Sequence, residues 1–172
     1  MKTDEKLVAA LLTAAGGEIV GRIRLQKILY LLDQKGLNAA DAAFHYHHYG
    51  PYSRVLDEAI ERAKALSGVN EIISYRHADG APFSVFSGRN GGTGAKIGDL
   101  SFSEARRLIG VMKPHTSTVL ELAATAHWLF AKERVKDWKA ELIRRKGQKA
   151  REGRLEMALS LLCELGISPQ ST

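Results

Sequence analysis

The chain has 172 residues, 45% of them apolar, and a formal net charge of +6. That length buries one core of ordinary size and leaves too little chain for a second, so residues 1–172 are expected to form a single domain. The apolar runs are short and helix-periodic, none is long enough to span a bilayer, and no charged leader precedes an apolar core, which predicts a cytoplasmic protein with no membrane partner.

In chain order, "TDEKLVAALLTAAGG" places Leu7, Ala10, Leu11 and Ala14 at helical spacing behind first-turn acids, with Gly16-Gly17 as the stop. After a short "EIV" run, "GRIRLQKILYLLDQKG" repeats the pattern with Leu25, Ile28, Leu29 and Leu32 on one face and Gly36 as the cap. Residues 44–49 alternate as a short strand would. Gly50-Pro51 breaks the run and is expected to open a third helix, since proline is tolerated in a first turn. Leu56, Ala59, Ile60 and Ala63 give that helix a buried face. Two β-rich runs around Asp79-Gly80 then read as a tight hairpin. Three helices followed by a hairpin are the order of a winged-helix module, so residues 1–88 are assigned to a winged-helix-like half.

Residues 88–98, "GRNGGTGAKIG", hold five glycines and predict a flexible connection over 89–98. The remainder, 99–168, reads as a helical half of four segments. Two of them carry capping-box spacing, Ser101 with Glu104 and Thr118 with Glu121. The fold class is therefore α+β, mainly α. A single cysteine, Cys163, leaves no disulfide framework or thiolate zinc site, and its apolar helical stripe predicts a buried thiol.

The stretch "FHYHHYGPYSR" (44–54) gathers three of six histidines and three of five tyrosines. On a strand His45 and His47 share one face while Tyr46 and His48 share the other. Two imidazoles begin a metal site, but no HExxH, second pair or suitably spaced acid supplies further ligands, so no metal is assigned. Ser53 lacks the GxSxG setting of a nucleophile, and its place suits a helix N-cap. The glycine-rich segment lacks the GxxxxGK[ST] spacing of a phosphate loop. No catalytic residue and no cofactor is expected.

The whole charge excess lies in residues 132–154, where ten basic residues face four acids. A nucleic-acid surface there would use Lys136, Lys139, Arg144, Arg145, Lys146, Lys149, Arg151 and Arg154. Val135, Trp138 and Leu142 share a helical face, which assigns Trp138 to packing. In a winged helix the third helix would read DNA, yet its Arg54, Arg62 and Lys64 are matched by Asp57, Glu58 and Glu61, with Glu58 and Arg62 spaced for a pair. Arg22, Arg24 and Lys27, with Arg76 in the hairpin, remain as possible phosphate contacts.

Two segments, "GRIRLQKILYLL" (21–32) and "FHYHHYGPYSRVLDEAI" (44–60), resemble the YwgA-like proteins related to the SocA-type antitoxin-associated domain, also called Panacea. The resemblance rests on the Arg24 to Lys27 helix followed by the Tyr49 to Pro51 turn and covers about the first 90 residues, with "TVLELAATAHWL" and "DWKAEL" similar to the YwgA-like tail. It implies a mainly helical fold without catalytic residues, acting as an antitoxin or as an adaptor for a protein partner such as a toxin encoded nearby. Tyr52-Ser53 departs from the aliphatic residues that more often follow the proline in SocA-like turns.

The expectation is a non-enzymatic binding protein whose contact surface includes Arg22, Arg24, Lys27, Tyr46, Tyr49, Tyr52 and Arg54. A nucleic-acid-binding regulator using the basic C-terminal helices is the alternative.

Overall fold

The computed structural model describes residues 2–88 and 94–169. It is a mainly helical α+β structure built on one helix buried on every side. Helix α1 (Glu5–Ala14) starts where the Asp4 carboxylate accepts from the amides of Lys6 and Leu7. Strand β1 (Glu18–Val20) leads into α2 (Arg22–Leu32), in which every residue from Leu25 to Leu32 is buried, Gln26 and Lys27 included. The single apolar face read from the sequence is therefore an underestimate. Helix α2 is closed by a π turn, Asp33–Leu37, in which Gly36 takes φ +95°.

The 44–54 stretch forms its own hairpin. Strand β2 (His45–His47) pairs antiparallel with β3 (Gly50–Tyr52), placing Tyr46 opposite Pro51 and His47 opposite Gly50. Pro51 thus lies in a strand, and α3 (Arg54–Leu66) begins three residues later. A proline fits there because its missing N–H is tolerated in a short outer ladder. Ser53 is the N-cap: its hydroxyl accepts from the Leu56 amide at 3.0 Å and donates to the Ala42 carbonyl. Ser53→Ala removes both bonds from a fully buried position and should cost about 1–2 kcal/mol, read as a lower urea midpoint with unchanged slope. The buried face of α3 is Leu56, Ala59, Ile60 and Ala63, as the spacing predicts.

Strands β4 (Asn70–Tyr75) and β5 (Pro82–Ser87) make the second hairpin, with β1 on the far side of β5, giving the antiparallel order β1-β5-β4. Tyr75 opposite Pro82 leaves six residues in the turn, longer than a two-residue loop at Asp79-Gly80. Gly80 takes φ +67° within it. Among the described residues strand β4 is an edge of this sheet.

The segment expected to be a flexible connection falls partly outside the described residues, at 89–93. From Gly94 the chain has structure of its own. Strand β6 (Lys96–Ile97) pairs with β7 (Leu100–Ser101), Ile97 is buried, and a β-carbon on Gly98 would lie 2.1 Å from the Leu37 carbonyl oxygen.

Helix α4 (Phe102–Met112) is capped by Ser101, whose hydroxyl accepts from the Glu104 amide, while the Glu104 carboxylate turns to Arg107. Helix α5 (Ser117–His127) is capped by Thr116, two residues before the Thr118 that the spacing suggested. Its Glu121 goes into the interior. Helices α6 (Trp138–Lys146) and α7 (Arg154–Glu164) complete the chain. Trp138 packs partly buried against the core, as its spacing implies. Cys163 is exposed, because the buried stripe of α7 runs through Leu155, Ala158, Leu161, Leu162 and Leu165 and leaves the neighbouring position facing out.

The core sits where α2 meets α5, with α1 on α3 and α4, and α7 on the other side of α5. One cluster of buried side chains runs from Leu7 to Leu165 and draws on both halves of the chain.

Candidate functional site

The β2–β3 hairpin is held against α2 by buried polar groups. The Gln26 amide donates to the Ser53 carbonyl at 2.8 Å and to Asp57 at 2.9 Å, and its oxygen accepts the Ser53 N–H at 2.9 Å. The Lys27 ammonium, 1% exposed, donates to the Pro51 carbonyl at 2.6 Å. From the other side Lys146 donates to the His48 carbonyl at 3.1 Å. Gly50, at φ +82°, allows the closest approach, since a β-carbon there would lie 2.7 Å from the Thr125 hydroxyl. Positive φ and lack of space both require glycine at this position.

Behind the hairpin stands a buried carboxylate, Glu121, 3% exposed, with Lys146 at 2.8 Å and Lys149 at 2.9 Å. Lys27 belongs to the same electrostatic group. Burial pushes its ammonium down to about 8, the Glu121 carboxylate opposing the shift and the Lys146 and Lys149 charges adding to it. Burial likewise holds Lys146 below its ordinary value despite the carboxylate beside it. One turn along α2, the Tyr30 hydroxyl and His127 Nδ1 hydrogen-bond at 2.8 Å; burial raises the Tyr30 phenol and pushes His127 down to about 4. These groups knit α2, the hairpin and α5 together.

Lys27 therefore does not lie on a contact surface as expected, because its ammonium is consumed by the interior. Tyr46 is half-buried, its ring under Arg145 at 4.5 Å and beside Trp128. Arg54 is exposed and pairs with Glu58, so Glu58 is not paired with Arg62, which reaches Glu5 instead. Tyr49 is 43% exposed with Lys149 over its ring, and the Tyr52 hydroxyl donates to Asp57 at 2.6 Å.

The structure brings Arg22, Arg24, Tyr49 and Tyr52 to a groove. A concavity of about 310 Å³ lies between α2 and the hairpin, with Arg22, Ile23, Gln26, His47, Tyr49 and Tyr52 around it and Lys27 in its wall. Arg22 and Ile23 also line a second concavity of about 660 Å³, bounded by Arg24, Arg76, Phe83 and Ser117. Ile73, Arg76 and Phe83 are shared in turn with a third, of about 800 Å³, at the β4–β5 turn. Shared lining residues make the three neighbours along one face. Ile73 and Tyr75, 51% and 66% exposed, stand at its rim. Sequence reasoning missed Ile23, Ile73 and Phe83, since an apolar residue in a helix or a short strand reads as core until the element's open side is known.

The basic C-terminal stretch is largely matched internally. Arg144 and Arg145 share Glu141, Arg145 also binds Glu133, Lys146 and Lys149 bind Glu121, and Arg154 binds Glu152. Among the described residues Lys136, Lys139 and Arg151 carry no ion pair, and Lys139 lies over the Trp138 ring.

Among the described residues no group of three or more His, Cys, Asp or Glu side chains is placed to hold a metal, and no helix is long and apolar enough to cross a membrane. The fold and site define a mainly helical α+β protein with an open, largely apolar, arginine-bearing groove. No protein-family model matches the chain, and no curated protein matches it significantly.

Proposed function

We propose that this protein is a non-enzymatic, cytoplasmic binding module, antitoxin-like or adaptor-like, that captures a protein partner along the groove between the two hairpins. The single-domain reading belongs with it. The succession of three neighbouring concavities past Arg22, Ile23, Ile73 and Phe83 is the observation that carries the reading. Apolar walls with isolated arginines suit a protein surface, where Arg and aromatic residues dominate binding. We also infer a winged-helix-like N-terminal half. Its support is the order α1, β1, α2, α3, β4, β5, with the β2–β3 hairpin inserted between α2 and α3, and β1 joined to β5 in the order β1-β5-β4. The YwgA-like and SocA-like relationship is proposed on the residues quoted above.

Helix α3 offers nucleic acid little, since Asp57 and Glu61 bind Arg22 and leave carboxylates on that side. Internal pairing of Arg144, Arg145, Lys146, Lys149 and Arg154 likewise weakens the nucleic-acid alternative. A photo-crosslinking residue at position 73 should capture the partner from the native host, and the same residue at position 144 should not. With the partner purified, Ile73→Asp should weaken binding about tenfold or more. Equal crosslinking at both positions, or undiminished binding by Ile73→Asp, would remove the groove from the reading.

A further inference from the structure

We infer that Arg24, at the open N-terminus of α2, receives a carboxylate from the segment held in the groove: an Asp or Glu side chain flanked by apolar residues in an extended stretch of the partner. The inference rests on the protein-binding reading and assigns the chemistry of what is bound.

The argument starts from which cation lacks a counterion. No Asp or Glu lines the middle concavity, though three arginines do. Arg22 is matched by Glu61 at 2.7 Å, with Asp57 and Glu71 at 3.6 Å, and Arg76 by Asp79 at 2.8 Å. Arg24 has no ion pair among the described residues. One of its terminal nitrogens donates to the Lys113 carbonyl at 3.2 Å, and its Nε is shut off from solvent with no hydrogen-bond partner. A guanidinium without a carboxylate, at a concavity that no Asp or Glu lines, leaves a charge that an anionic group of the ligand can match.

The adjoining backbone asks for the same ligand. Gly21 precedes α2 and has no side chain to cap it, while its own N–H donates to the Ser84 carbonyl. The first-turn N–H groups at Arg22, Ile23 and Arg24 are left without an intrahelical acceptor, at the positive end of the helix dipole. Gly21 and all three of these residues line the concavity. A guanidinium without a counterion and an uncapped helix start therefore line one concavity, and an anion complements both. Ile23, Ile73, Pro82 and Phe83 around it favour apolar neighbours for that anion. An extended segment is the form that reaches the flanking concavities as well.

The test is fluorescence anisotropy with a fluorescein-labelled peptide that alternates glutamate with leucine and phenylalanine. Its companions are the same peptide with glutamine for glutamate and one with phosphoserine for glutamate. A single-stranded oligonucleotide serves as competitor. The glutamate peptide should bind wild-type protein about tenfold more tightly than the glutamine peptide. Arg24→Gln should abolish that difference, Arg24→Lys should keep part of it, and Ile73→Ser should weaken both peptides alike. Equal binding of the glutamate and glutamine peptides to wild type overturns the carboxylate anchor without needing any variant to fold. So does tighter binding of the phosphoserine peptide, displacement by the oligonucleotide, or no peptide binding at all. If the anchor fails while crosslinking at position 73 still captures the partner, the protein-binding reading stands alone; if both fail, both fall.

Discussion

Glu121→Leu is expected to destabilise the protein by about 3–5 kcal/mol, the usual cost of leaving one member of a buried ion pair without the other. The stranded partner is Lys146, whose side chain is as buried as that of Glu121 and whose other acceptor is the His48 carbonyl. Lys149 is partly exposed and turns to solvent at little cost. Adding Lys146→Met should restore most of the loss, because two apolar side chains of similar volume fill the site without any charge to desolvate. Urea unfolding of the two variants at neutral pH separates the explanations. A single variant that loses less than about 1 kcal/mol would show that the pair is solvated and is not what holds the hairpin.

The second large effect is a two-step dependence of stability on pH. His127, neutral in the fold down to about 4, takes up its proton near 6.5 once unfolded. The unfolded chain therefore binds more protons between those values, and stability rises with pH across that window by up to about 3 kcal/mol. Lys27 repeats the pattern on the alkaline side. Its folded value of about 8 lies below the 10.5 of a free lysine, so its buried charge opposes folding in full below pH 8 and less as pH climbs towards 10.5. Lys146 adds in the same direction. Tyr30, Tyr46 and Tyr52, all raised, act oppositely: their stabilisation is complete below about 10 and is lost above it, which sets a maximum near that pH. Urea midpoints across this range should show both rises. Lys27→Met should remove most of the alkaline rise and leave the acidic one, and a full rise surviving in that variant would take Lys27 out of the account.

The hydrophobic spacing of α3 and the Ser53 cap were legible because both are local: one depends on the helical repeat and the other on a hydroxyl three residues from an unpaired amide. Pro51 was misplaced for the opposite reason. Proline fits a first turn or an outer strand equally well, and the choice was made by Lys27 and Gln26 reaching across from α2. The all-round burial of α2 from Leu25 onward left one trace in the sequence, in that Gln26, Lys27 and Tyr30 interrupt an otherwise apolar run. Spacing alone could not say that these groups face partners.

Of the site, Arg22, Arg24, Tyr49 and Tyr52 were legible as residues but not as one surface. Glu121 looked like half of a capping box and proved to be a core carboxylate, since Thr116 took the cap and α6 and the turn after it each brought a lysine to it.

By itself the sequence determined the helices, the hairpin around Asp79-Gly80 and the place of the charge excess, because those follow from periodicity, turn chemistry and composition within a few residues. Only the tertiary structure decided which charges are already matched, which side chains the fold consumes and which line a groove. Burial and pairing depend on elements far apart in the chain, so Lys27 and Arg24, one helical turn apart, meet opposite fates: one is enclosed against Pro51 and the other is left beside an open groove without a counterion.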